Sequence, residues 1–133
     1  MSTRCLTVFT DERGRELAVL YRQFDGYPDG HGKELAEFLN KMKIVNGISG
    51  EESHKFANGL RCLAAQVIAK FKDEPGNFYL YPAGTRDAGE DYRYIVSGQV
   101  GQEPTIEIQN SEDSTIARGT PQEILNYIGT SKS

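Results

Sequence analysis

The strongest constraint on this chain is a helical repeat. Phe56, Leu60, Leu63, Ala64, Val67, Ile68 and Phe71 recur at three- and four-residue spacing and share one face, while Arg61, Gln66 and Lys70 fall elsewhere. A helix with one apolar face must bury it against something. With 133 residues, seven tyrosines and six phenylalanines, the chain can build that core as one domain without disulfides or a structural metal. Ser49-Gly50-Glu51-Glu52-Ser53 is expected to open this helix and Pro75-Gly76 to stop it. The mainly apolar stretch 60–71 is interrupted by charge and too short to span a bilayer.

The remaining elements read as strands and two shorter helices. Residues 5–10 and 17–22 are apolar, aromatic and β-branched around a polar turn that contains Gly14, which predicts an opening β-hairpin. Leu35, Phe38, Leu39 and Met42 predict a first helix of about three turns that ends by Asn46-Gly47. Strands are expected at 78–81, 92–97 and 105–109, with a shorter one near 114–117. Thr120-Pro121-Gln122-Glu123 has the form of a capping box with proline at the first helical position, and Gly129 is expected to end that last helix. The order β-β-α-α-β-β-β-(β)-α predicts an α+β fold, an antiparallel sheet of five to six strands packed on two or three helices. It forms a single domain over 1–133, with 130–133 expected to be disordered.

Charge narrows the function classes. A formal net charge of -4 argues against holding nucleic acid mainly through neutralised phosphates. The first residues lack a basic start, an apolar stretch and a small-residue cleavage site, so a cytoplasmic protein is expected. Cys5 and Cys62 stand far apart without a partner in ligand spacing, and His54 lacks a Glu-x-x-His context, so neither a metal nor a cofactor is expected.

The unusual segment is Tyr21-Arg22-Gln23-Phe24-Asp25-Gly26-Tyr27-Pro28-Asp29-Gly30-His31-Gly32-Lys33-Glu34. Between a strand and a helix start, its glycines could expose backbone N–H groups to an anion, joined by Arg22 and Lys33. It is neither a Walker loop nor a dinucleotide fingerprint, because the glycine spacing fits neither. The competing reading is a tight turn in which Asp25-Gly26 and Asp29-Gly30 serve the backbone alone. His31 beside Asp25 and Asp29 could act as a general base, yet no nucleophile has a recognisable elbow, so no catalytic residue is assigned. The candidate binding residues are therefore Arg22, Asp25, Gly26, Tyr27, Asp29, Gly30, His31 and Lys33. A second candidate surface comprises Tyr79, Tyr81, Arg86, Tyr92 and Arg93, where rings beside guanidinium groups could stack on a flat base. Half-buried cross-strand tyrosine pairs are the structural alternative.

Ser2-Thr3-Arg4, followed after the hairpin by Tyr21-Arg22-Gln23 and Asp25-Gly26-Tyr27-Pro28-Asp29-Gly30, resembles a group of small bacteriophage- and prophage-encoded proteins with no assigned activity. Their motif reads roughly Tyr-Arg-(Gln/His)-x-Asp-Gly-Tyr-Pro-x-Gly, and the match covers about the first third of the chain. The resemblance implies a non-enzymatic binding protein in the cytoplasm of an infected or lysogenic bacterium. Such a protein could antagonise a defence system by binding a defence protein or sequestering a nucleotide signal. The alternative is a small hydrolase or transferase acting on a phosphorylated compound at the 26–33 loop. Exposed sheet edges add the expectation of a homodimer.

Overall fold

The computed structural model describes residues 2–47 and 55–131. Its centre is the expected hairpin, β1 (Cys5–Thr10) and β2 (Glu16–Arg22), closed by a turn in which Gly14 adopts φ +81°. The chain then passes through a π-helical turn, Pro28–Gly32, directly into α1 (Lys33–Leu39). This first helical run starts earlier and ends earlier than the apolar spacing implied. Pro28 supplies a preset φ at its start, and Lys41 at φ +66° closes it before Met42.

Two short strands come next, β3 (Lys43–Val45) and β4 (Phe56–Asn58), paired in parallel as a separate ribbon that buries Ile44 and Ala57. Neither was legible as a strand. The long helix α2 (Gly59–Phe71) therefore begins after Phe56, while the expected opening at 49–53 lies outside the described residues. Gly59 sits at φ +80°, which an α-helix cannot propagate backwards through, and Glu12 accepts a hydrogen bond from the Leu60 N–H at 2.6 Å. The hairpin turn thus caps the helix that the sheet supports.

β5 (Phe78–Pro82), β6 (Tyr92–Ser97), β7 (Thr105–Asn110) and β8 (Thr115–Gly119) complete a six-stranded sheet of order β5-β2-β1-β6-β7-β8. The fold is α+β as expected, but the sheet is mixed, because β1 and β6 pair in parallel and the other neighbours antiparallel. The parallel pair arises because 83–91 carries the chain from edge strand β5 past the hairpin to β6. The last helix, α3 (Pro121–Ser131), forms the expected capping box, with Glu123 N–H on Thr120 Oγ1 and Thr120 N–H on Glu123 Oε1. It continues past Gly129 to Ser131, so that glycine is not its stop.

Strand alternation divides the sheet into two unlike faces. On one, Cys5, Phe9, Leu20, Tyr94, Val96, Ile106 and Ile108 join the apolar sides of all three helices in the main core. On the other, Leu6, Val8, Val19 and Tyr21 form a smaller cluster with Tyr81, Ala88 and Ile95, covered by the 83–91 connection instead of a helix. No helix of the described residues is long and apolar enough to cross a membrane.

Candidate functional site

The glycine-rich loop folds inward. Gly26 N–H donates to Thr3 O, Gly30 N–H to Tyr27 O and His31 N–H to Asp25 O, so these donors hold the loop together and are not presented to an anion. Two glycines are required sterically. A Cβ on Gly26 would stand 2.8 Å from Arg4 C and Cys5 N, and one on Gly30 2.5 Å from Asp25 O. Asp25 itself takes φ +63°, and its carboxylate accepts from the Tyr27 hydroxyl at 3.4 Å. Asp29 and Lys33 lie on the surface, as do Phe24 and Tyr27.

Arg22 and His31, expected on the binding surface, are instead in the core. Arg22 is 6% exposed and His31 fully buried. The reason is parity: β2 turns Arg22 to the helix side, where its guanidinium lies 5.0 Å from the Phe78 ring centroid and 5.9 Å from that of Phe71. Its Nη1 donates to His31 Nδ1 at 3.2 Å, and Nη1 and Nη2 both reach the Glu34 carboxylate at 3.3 Å. Arginine can only donate, so Nδ1 accepts and the His31 proton is on Nε2, which donates to Thr7 Oγ1 at 2.7 Å. Tyr94 packs against the imidazole at 4.8 Å and donates its hydroxyl to Gly26 O at 2.7 Å. Burial, aided by the Arg22 charge, lowers the His31 pKa from 6.5 to about 3. His31 is a neutral core group and not a base. Burial likewise pushes the Cys5 thiol far up, out of the nucleophile range.

The second candidate surface is partly assembled. Register pairs Tyr21 with Tyr79 and Val19 with Tyr81, which places three tyrosines on the helix-free face; Tyr21 lies 6.1 Å from Tyr79 and 5.7 Å from Tyr81, ring centroid to centroid. Together with Gln23, Thr85, Arg86, Asp87 and Ala88 they line an open cleft of about 520 Å³. Tyr79 is 45% exposed, with Lys72 Nζ 5.6 Å from its ring centroid. Arg86 is fixed at the cleft by Glu16, whose carboxylate accepts from Nη2 at 2.9 Å and from Gly84 N–H. The Arg86 hydrogen bond holds the Glu16 carboxyl below its usual range. Tyr92 and Tyr94 do not join this surface, because their register on β6 turns both into the helix-side core. Arg93 shares the helix-free face but is committed to Glu90 at 2.9 Å and Asp113 at 2.6 Å. Sequence reading missed Tyr21 and Gln23 as members of the cleft, since only the β2–β5 register reveals them.

Among the described residues no group of three or more His, Cys, Asp or Glu side chains is placed to hold a metal ion, and His54 lies outside them. Compared with protein-family models, curated proteins and solved structures, the chain matches none.

Proposed function

We propose that this protein is a non-enzymatic binding protein that holds a partner protein on its tyrosine cleft. The observation that carries this reading is three tyrosines on the sheet face that none of the three described helices covers, with Tyr79 nearly half exposed. Tyrosine offers large contact area at low entropic cost, and anchors of this kind dominate protein interfaces. The connection 83–91 pre-organises the rim: Glu16 holds Arg86, and Glu90 accepts from Ala88 N–H and Arg93.

A protein partner is favoured over a nucleotide signal because Arg86 is already paired with Glu16 and Asp87 adds a negative charge to the lining. Phosphates would meet a neutralised cation beside a carboxylate. The alternative, a small hydrolase or transferase acting on a phosphorylated compound at 26–33, is weakened by the internal use of that loop's N–H groups and by the burial of His31. In keeping with the resemblance to phage proteins, the proposed role is antagonism of a bacterial defence protein from the host cytoplasm.

The test is phage plating on strains that each carry one defence system and express either the parent or Tyr79→Ser/Tyr81→Ser. At least tenfold recovery of plating on one strain by the parent, lost with the double variant, is the expected result. Recovery that survives the double variant, or turnover of a nucleotide panel by the purified protein, refutes the reading.

A further inference from the structure

We propose a second, separate binding site on the helix side of the sheet, in which Arg22 receives the carboxylate of a small organic monocarboxylate in place of Glu34. Arg22 lines a cleft of about 620 Å³ bounded by α1, the end of α2 and the start of β5. Its guanidinium is buried, yet among the described residues its Nε has no hydrogen-bond partner, so a strong donor group in the core is incompletely satisfied there. The anion recorded against it among the described residues, Glu34, is held by two long bonds of 3.3 Å through a side chain that is 48% exposed. A carboxylate so placed can swing into water without leaving a buried charge of its own behind. The neutral imidazole of His31 occupies Nη1 from within the core and does not discharge the arginine.

The walls define the ligand class. Phe38, Phe71 and Phe78 offer apolar surface beside the guanidinium, which suits the alkyl or aryl body of a carboxylate. The remaining lining charges balance, Lys55 and Lys70 against Glu37 and Asp73. A singly charged ligand is therefore not repelled, whereas a phosphate or polycarboxylate would bring extra negative charge against two carboxylates.

Titration of arginine-¹⁵N-labelled protein with benzoate and hexanoate, followed at the Arg22 Nε–H signal, tests this site. Saturable shifts are expected for both acids, none for benzamide, and about fivefold tighter binding in Glu34→Gln, where the competing charge is gone but the side-chain size is kept. Arg22→Lys, checked for a native amide spectrum, should abolish the response of neighbouring amides. The proposal is overturned if neither acid shifts Arg22 saturably in Glu34→Gln, or if benzamide matches benzoate. Tighter binding of methyl phosphate than of benzoate, or an undiminished response in a folded Arg22→Lys, overturns it as well.

Discussion

Acidification should expose the buried histidine as a source of pH-dependent stability. His31 accepts a proton near pH 3 when folded and near 6.5 when unfolded, so between these values the unfolded state binds more protons. A depressed folded pKa means that the stability is fully present above about pH 6.5 and is lost progressively as the pH falls toward 3. From pH 7 to 4.5 the loss amounts to about 2.5 kcal/mol, taking roughly 1.4 kcal/mol per unit over the part of the window crossed. Asp11, Glu16 and Glu90 also have lowered pKa values and lose stability in the same direction, so a bare acid titration would mix the terms. His31→Gln separates them, because glutamine can accept from Arg22 and donate to Thr7 but cannot titrate. Urea unfolding of both proteins at pH 7 and 4.5 should give a parent that loses about 2.5 kcal/mol more than the variant. Equal losses would mean that the imidazole is not held neutral in the core, and the assignment of its tautomer would fall with it.

Other perturbations follow from the same contacts. Arg22→Ala removes two ring contacts and the bonds to His31 and Glu34 and should cost about 2 kcal/mol, since the stranded Glu34 can reach water; thermal melting checks it. Gly26→Ala should cost about 1–3 kcal/mol through its backbone clash, whereas Gly14→Val meets open space and pays only for its positive φ; paired melts compare them. Glu12→Ala should lose about 1 kcal/mol by uncapping α2, seen as a lower urea midpoint with unchanged slope. The outer edge of β5 presents Leu80, 63% exposed, and a homodimer paired there would scatter light as twice the 14.8 kDa chain; a mass of one chain at micromolar concentration removes that expectation.

The layout of sheet and helices was legible where periodicity and punctuation agreed. The hairpin, the face of α2 and the capping box at Thr120 each combine an apolar pattern with local chemistry that tolerates little else. The β3–β4 ribbon was not legible because three-residue strands carry too little alternation, and Phe56 happens to fit the helical spacing of α2. Gly129 failed as a stop because it keeps helical backbone and its Cβ position is open to solvent, where glycine costs propensity without breaking a helix. At the candidate site, the segment 21–34 stood out as a string, but a string does not show which way β2 faces. One residue of parity sends Tyr21 to the open face and Arg22 into the core, so a motif that looked like a surface loop also contributes Arg22 and His31 to a buried polar pair, while Phe24, Tyr27, Asp29 and Lys33 stay on the surface.

The central claim is that a partner sits on the tyrosine cleft. Amide chemical-shift mapping of the labelled chain against a purified defence protein singled out by the plating assays tests it most directly. The account predicts the largest shifts at Tyr21, Gln23, Tyr79, Tyr81 and Thr85 through Ala88, with the 25–33 loop and the helix-side core little changed. Shifts centred on Asp25, Tyr27, Asp29 and Lys33, with the tyrosine strands silent, would contradict it.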